Sequence, residues 1–109
     1  MKAYSIGLYE KAMPNTLTWK EKLEAAKEAG YDFVEISIDE TDAKLARLDW
    51  TKEERLELVK TMYEVGLPIR SMCLSGHRKY PLGSSDSATE ARSLEIMEKA
   101  IQLADDLGV

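Results

Sequence analysis

The chain has 109 residues, of which 44% are hydrophobic and 32% charged, and its formal net charge is −5. This composition is typical of a soluble globular protein, and the acidic balance argues against a nucleic-acid partner, which would require basic residues to neutralise phosphates. No apolar run approaches the roughly 20 residues of a membrane span, so we expect no membrane partner, and residues 1–14 lack the apolar core of a signal peptide. The single cysteine, Cys73, excludes an intrachain disulfide. We therefore expect a cytoplasmic protein.

The first predicted unit is a strand followed by a helix. Residues 3–9 alternate as a strand does, with one face carrying Tyr4, Ile6 and Leu8. A helix is predicted to begin at Thr18, because Thr18 and Glu21 have the spacing of a capping box. Gly30 ends this helix, as a glycine after the last helical turn often does.

The second unit repeats this order. Phe33–Ile38 is predicted as a strand, and the polar stretch after it has room for one short helix. A second capping-box pattern at Thr51 and Glu54 predicts another helix, which ends at Gly66. We expect the packed face of that helix to carry Leu56, Val59 and Tyr63, flanked by Leu58, Met62 and Val65.

The third unit has the strand Ile69–Ser75, a polar loop and a long helix. A third capping-box pattern, Ser87 with Glu90, predicts the start of that helix, and Gly108 follows its last turn. The expected apolar row of this helix is Leu94, Met97, Ile101 and Ala104, joined by Ile96, Ala100, Leu103 and Leu107. Strands that alternate with helices predict a parallel sheet with right-handed crossovers.

Two α/β architectures fit such a sheet, a doubly wound sheet and a (β/α)8 TIM barrel. In a doubly wound sheet helices cover both faces, so its strands are apolar on both. Here each strand is apolar on one face and small or polar on the other, as expected when one face lines a polar barrel mouth. The first turn also lacks a Gly-x-Gly-x-x-Gly phosphate loop. We therefore predict a partial TIM-barrel domain over residues 1–109, with three βα units and a fourth strand due at Val109.

Active-site groups of such barrels lie at the carboxyl ends of the strands. His77 comes just after the third predicted strand and could polarise a substrate oxygen, although an exposed loop histidine without a role has the same pattern. Arg78 and Lys79 suit a phosphate or a carboxylate, but on spacing alone solvated loop cations are the favoured interpretation. These readings stay open on position alone.

Other polar residues have plainer interpretations. Glu35 lies on the inward face of the second strand, where we expect a structural hydrogen-bonding role. Cys73 is interpreted as a small buried residue rather than a catalytic thiol. The acids after the second strand are a weak metal pattern without a histidine, and local capping explains them more simply; they are Asp39, Glu40 and Asp42. Trp19 and Trp50 are interpreted as packing residues.

Four stretches resemble one family: GLYEKAMP, YDFVEISIDETDAKLARLDW, RSMCLSGHRKYPLGS and EIMEKAIQLADDLG. They are similar to the N-terminal portion of the L-ribulose-5-phosphate (L-xylulose-5-phosphate) 3-epimerases, which belong to the xylose-isomerase-like barrels. The resemblance runs from about Ile6 to Gly108. It implies interconversion of L-xylulose 5-phosphate and L-ribulose 5-phosphate, in which the C3 proton is removed and then returned on the opposite face. It also implies a divalent metal, zinc or manganese, that stabilises the developing negative charge.

The resemblance places the metal ligands and both catalytic glutamates on later strands, so it transfers no catalytic or metal residue to this chain. It implies that five positions shape the pocket and hold the phosphopentulose substrate: Tyr9, Glu10, Ser75, His77 and Arg78. We expect the isolated chain to be inactive and to form homo-oligomers or aggregates, because three βα units leave open sheet edges. The alternatives are a non-catalytic half-barrel for binding or assembly, and another metal-dependent isomerase or endonuclease-like member of the superfamily.

Overall fold

A three-stranded parallel sheet in the order β1-β2-β3 forms the centre of the molecule. The structure is a computed structural model that describes residues 3–109. The strands are β1 Gly7–Tyr9, β2 Phe33–Ser37 and β3 Ile69–Cys73, and the helices are α1 Trp19–Glu28, α2 Asp42–Leu45, α3 Lys52–Val65 and α4 Ser87–Leu107. Short 3-10 turns occupy Glu10–Ala12, Ala46–Asp49 and Ser75–Arg78. The predicted α/β class and the parallel strand order are confirmed.

The strands are shorter than predicted. β1 begins at Gly7 rather than at residue 3. Just before it, the backbone N–H of Ile6 donates to the Asp32 carboxylate and the backbone N–H of Asp32 donates to the Ile6 carbonyl oxygen, each at 2.8 Å. Tyr4 and Ile6 are exposed, so the apolar alternation predicted for residues 3–9 leaves only Leu8 packed on the core. β2 ends one residue early and β3 two residues early, and the 3-10 turn Ser75–Arg78 follows β3 closely.

Two of the three predicted helix starts hold. Thr18 and Glu21 form the complete capping box. Thr51 accepts a hydrogen bond from the backbone N–H of Glu54, but the Glu54 carboxylate lies near the Thr51 hydroxyl rather than its backbone N–H. This second site is therefore a one-sided cap.

The predicted capping box at Ser87 is wrong. Asp86 is the cap: its carboxylate accepts hydrogen bonds from the backbone N–H and the hydroxyl of Thr89, at 2.9 and 2.7 Å. Aspartate is among the favoured N-cap residues, and its charge lies beside the positive end of the helix dipole, so α4 begins with Ser87 as its first helical residue.

The three glycines predicted to end helices all have left-handed backbone angles. The φ values are 91° at Gly30, 80° at Gly66 and 78° at Gly108. Residues with a side chain rarely adopt this conformation, so these glycines let each helix stop and reverse direction.

On the two long helices the structure buries the predicted flanking rows rather than the predicted central rows. On α3 the buried side chains are Arg55, Leu58 and Met62, whereas Tyr63 is 84% exposed and Leu56 is exposed as well. On α4 the core row is Ser93, Ile96, Ala100, Leu103 and Leu107, while Leu94 and Ile101 face outward. Each helix carries two adjacent apolar rows, and a polar residue in the buried row (Arg55 and Ser93) obscured the correct one.

One face of the sheet is fully apolar. Val34, Ile36 and Ile38 are completely buried against the helices. The opposite face carries Phe33, whose ring lies so close to Gly7 that a Cβ there would be 2.2 Å from a ring carbon. The sheet is thus covered by helices on one side only, as expected of part of a barrel wall. Among residues 3–109, no helix has the length and apolarity needed to cross a membrane.

Candidate functional site

The carboxyl ends of the three strands and the turns after them form one polar edge. All five predicted pocket residues lie there: Tyr9, Glu10, Ser75, His77 and Arg78. The parallel register aligns these ends, because β1 pairs with β2 up to Tyr9–Glu35 and β2 pairs with β3 up to Ser37–Cys73. Their contacts show which side chains are available to a ligand.

The sheet face opposite the helices carries short hydrogen-bonded pairs. The hydroxyls of Tyr9 and Ser37 are 3.3 Å apart, which links the ends of β1 and β2. The Ser71 hydroxyl donates to the Glu35 carboxylate at 2.8 Å, so Glu35 ties β2 to β3. The structural role predicted for Glu35 is confirmed. Cys73 lies half-buried on the same face.

Glu10 sits in a buried ion cluster rather than in an open pocket. Only 1% of the residue is exposed. Its carboxylate accepts hydrogen bonds from Lys22 at 2.6 Å, from Lys44 at 3.1 Å and from both terminal nitrogens of Arg47 at 2.6 and 2.7 Å. The backbone N–H of Ser37 donates a further bond at 2.9 Å. The Glu10 carboxylate therefore joins β1, β2, α1 and the segment before α3.

These partners keep Glu10 ionised. Burial by itself would raise the pKa of Glu10, but Arg47, Lys22 and the Ser37 N–H outweigh it and hold that pKa at about 2. The Trp19 ring lies under two of the cations, with its centroid 4.8 Å from Lys22 Nζ and 5.2 Å from the Arg47 guanidinium carbon. The packing role predicted for Trp19 is confirmed, and the ring also shields the cations of the cluster.

The three cations of this cluster were not predicted from the sequence. They lie 12, 34 and 37 residues from Glu10 along the chain, so no local motif joins them. One signal was available for Lys22: it follows Trp19 by three positions and precedes Leu23 on the buried stripe of α1. A lysine at such a position requires a buried partner.

Asp39 orders the loop after β2. Its carboxylate accepts from the backbone N–H and hydroxyl of Thr41, at 2.9 and 2.6 Å, and pairs with Lys11 at 2.7 Å. Burial would raise the pKa of Asp39, but Lys11 and Thr41 hold it at about 2. Thr41 in turn caps α2, and Asp42 lies in its first turn. The helix-capping role predicted for Asp39, Glu40 and Asp42 is therefore wrong, because the residue that caps α2 is Thr41 and Asp39 supports it by holding Thr41 in place.

The residues of this edge do not fit a metal centre by themselves. Within residues 3–109 no three histidine, cysteine, aspartate or glutamate side chains come together with the spacing a metal ion requires. Any metal bound near this edge therefore needs ligands from outside these residues.

The turn after β3 packs tightly on the loop after β2. The backbone N–H of Gly76 donates to Ile38 at 2.9 Å, and a Cβ at Gly76 would lie 3.3 Å from the carbonyl oxygen of Asp39. Beside it the Ser75 hydroxyl oxygen is buried without a hydrogen-bond partner among residues 3–109. A buried hydroxyl of this kind leaves one donor and two acceptor sites available.

His77 is tied to α4. Its Nε2 lies 3.1 Å from the Ser93 carbonyl oxygen, and because a carbonyl only accepts, Nε2 carries the proton. Arg78 is exposed, and its side chain forms no hydrogen bond or ion pair with any residue the structure describes. The predicted pocket roles of Tyr9, Glu10, Ser75, His77 and Arg78 stay predictions.

The comparisons define the class of protein. The model of the xylose isomerase-like TIM barrel family matches residues 23–109, which is most of the chain. The chain therefore belongs to the xylose isomerase-like TIM barrel family, and the predicted barrel origin of the three βα units is confirmed. A crystal structure of D-psicose 3-epimerase in the presence of D-fructose has the same fold, with a TM-score of 0.73 and 16% identity over 96% of this chain and 35% of that chain.

Closer relatives are known from sequence. The chain is 56% identical over 108 residues to proteins of Salmonella paratyphi B and Salmonella schwarzengrund named L-ribulose-5-phosphate 3-epimerase UlaE. The match covers 99% of this chain and 38% of each relative. The predicted resemblance to these epimerases is confirmed, and the chain spans a little over a third of their length.

Proposed function

We propose that this chain is the N-terminal part of a sugar-phosphate epimerase that interconverts L-xylulose 5-phosphate and L-ribulose 5-phosphate. Residues 1–109 form a partial domain, the first three βα units of its barrel. The observation that carries the proposal is the 56% identity to L-ribulose-5-phosphate 3-epimerases over almost the whole chain. The polar edge at the strand ends supports it, because barrel enzymes bind their substrates there.

The reaction requires two acid/base groups that flank C3 and an electrophile that stabilises the enediolate. The divalent metal implied by the resemblance, zinc or manganese, is the proposed electrophile, and its ligands must come from other strands because no suitable donor set lies within residues 3–109. We assign no catalytic proton transfer to this chain. Its proposed contribution is the pocket wall.

Within that wall the five predicted residues have different proposed roles. Tyr9, Ser75 and His77 present hydroxyl and imidazole groups to the sugar, and Arg78, exposed and unpaired among residues 3–109, is a candidate for the phosphate. Glu10 acts indirectly, because its carboxylate is already occupied by three cations and a backbone N–H. It fixes the turn that follows Tyr9.

We also propose that the chain associates with itself. The exposed apolar side chains of α3 and α4, including Tyr63 and Ile101, support this, as does a sheet covered on one side only. Light scattering at high protein concentration tests it. A stable monomer would contradict the proposal.

A chimera tests the enzymatic proposal. The portion of the Salmonella paratyphi B relative that matches this chain is replaced by residues 1–109, and hydrogen–deuterium exchange at C3 of L-ribulose 5-phosphate is followed by NMR. Exchange at a rate within about tenfold of the relative is expected. The isolated chain, tested with Mn²⁺ or Zn²⁺, is expected to give none. A folded chimera that lacks exchange would refute the assignment.

A further inference from the structure

Ser37, the last residue of β2, is a completely buried serine on the sheet face opposite the helices. Its hydroxyl has one hydrogen-bond partner among residues 3–109, the Tyr9 hydroxyl at 3.3 Å. Tyr9 is the last residue of β1 and is only half-buried. A buried serine hydroxyl without a partner would cost free energy. The pair therefore satisfies Ser37 and connects a fixed interior position to a side chain that remains accessible at the polar edge.

The backbone of Ser37 is held from both sides. Its N–H donates to Glu10 Oε1 at 2.9 Å, and its carbonyl oxygen accepts from Arg47 at 3.0 Å. Arg47 also binds Glu10, so the three residues form a closed set of contacts. β1 stops pairing with β2 at Tyr9–Glu35, and the Glu10 carboxylate takes the place of the next strand partner for the Ser37 N–H. The Ser37 side chain therefore leaves the backbone from a fixed point.

Burial decides which of the two hydroxyls donates. Each hydroxyl has one O–H donor and can also accept. Among residues 3–109 the Tyr9 oxygen is the one acceptor within reach of the Ser37 proton, and water does not reach that proton because Ser37 is 0% exposed. If Tyr9 donated instead, the Ser37 O–H would carry the desolvation penalty of a buried, unsatisfied donor. Ser37 therefore donates, and the Tyr9 O–H is left to donate to a ligand at the polar edge.

We propose that Ser37 is a positioning residue that fixes Tyr9 as a hydrogen-bond donor to an oxygen of the sugar, a hydroxyl or the carbonyl. This inference rests on the proposed epimerase function, in which Tyr9 belongs to the pocket wall. A phenol whose hydroxyl is already oriented loses less freedom when the sugar binds. The contact is made by the bound substrate and by the transition state alike, and a contact of this uniform kind lowers KM without changing kcat.

The chimera with the Salmonella paratyphi B relative measures this effect on L-ribulose 5-phosphate. Ser37→Ala should raise KM roughly threefold to tenfold, which corresponds to the loss of about one hydrogen bond, and should leave kcat unchanged. Ser71→Ala is the matched control, because it removes another serine hydroxyl that joins neighbouring strands on this face but binds Glu35 rather than Tyr9. The control should leave KM unchanged. An unchanged KM for Ser37→Ala, or a loss confined to kcat, would overturn the proposal.

A double-mutant cycle separates positioning from general damage to the fold. If Ser37 acts through the Tyr9 hydroxyl, Tyr9→Phe should raise KM at least as much as Ser37→Ala does. Adding Ser37→Ala to Tyr9→Phe should then have no further effect on KM. Additive increases in KM would show that the two residues act independently, which would contradict the positioning role.

The tyrosine hydroxyl also gives a readout that needs no activity. The 109-residue chain is isotope-labelled at the tyrosine ring carbon that bears the hydroxyl, and the Tyr9 NMR signal is identified by its loss in Tyr9→Phe. Ser37→Ala should move this signal, because the Tyr9 oxygen loses a donor, and Ser71→Ala should leave it in place; an unmoved signal in Ser37→Ala would overturn the proposal. An inactive parent chimera would refute the epimerase assignment, and the Tyr9 signal would then decide the hydroxyl pair by itself, so the two failures are distinguishable.

Discussion

Replacing Glu10 by glutamine tests the buried ion cluster most severely. The fall in the pKa of Glu10 from 4.5 to about 2 corresponds to about 3 kcal/mol of stability at pH 7. Loss of the carboxylate also leaves Lys22, Lys44 and Arg47 without their shared anion, and breaking a buried pair typically costs about 3–5 kcal/mol. We therefore expect Glu10→Gln to lower the free energy of unfolding by about 3 kcal/mol at pH 7.

The pH dependence gives a second signature. Because the pKa of Glu10 is lower in the folded state than in the unfolded state, its stabilising effect is complete above about pH 5 and is lost as the pH falls towards 2. The parent chain should therefore lose stability steeply across that range. Glu10→Gln should follow a shallower curve, with the lowered pKa of Asp39 supplying the rest of the slope.

Urea unfolding at pH 7 and pH 3 measures both effects. Trp19 is a suitable fluorescent reporter, since its ring lies against Lys22 and Arg47. Glu24→Gln, an exposed change on α1, is the control and should shift the unfolding free energy by less than about 0.5 kcal/mol. If Glu10→Gln behaves like this control at pH 7, the cluster does not stabilise the fold and the reasoning is refuted.

Three further predictions about the local structure can be tested by urea unfolding. Asp86→Ala should lower the free energy of unfolding by about 1 kcal/mol through loss of the α4 cap, whereas Ser87→Ala should leave it almost unchanged. A larger loss for Ser87→Ala than for Asp86→Ala would show that the capping box predicted from sequence is correct after all. Leu58→Ala should cost about 2–5 kcal/mol and Leu56→Ala less than about 1 kcal/mol, and similar losses would contradict the observed face of α3. Gly7→Ala should cost about 1–3 kcal/mol because its Cβ meets an aromatic ring, and an unchanged midpoint would show that the ring moves aside freely.

Features encoded by neighbouring residues were predictable. The alternation of β2, the complete capping box at Thr18 and the left-handed glycines at Gly30, Gly66 and Gly108 each depend on a few adjacent positions. The one-sided polarity of the strands was enough to favour a barrel over a doubly wound sheet.

Features that depend on distant residues were not predictable. The buried face of α3 is decided by how the helix meets the sheet, and Arg55 reaches the core only because Asp106 and the carbonyls of Leu48 and Trp50 satisfy its guanidinium. The environment of Glu10 is set in the same way by cations up to 37 residues away. The types of residue at the strand ends were therefore enough to predict where the edge of the site lies. The contacts that each of these residues makes could be assigned only from the structure.

The measurement that tests the central claim most directly is the substrate preference of the chimera with the Salmonella paratyphi B relative. Its kcat/KM for epimerisation is compared between L-ribulose 5-phosphate and D-psicose, a ketose without a phosphate. The account predicts a preference of at least about 100-fold for the phosphorylated substrate, because charge-assisted contacts to phosphate are lost in the other. Equal or higher activity on D-psicose would contradict it and would identify a free-sugar epimerase.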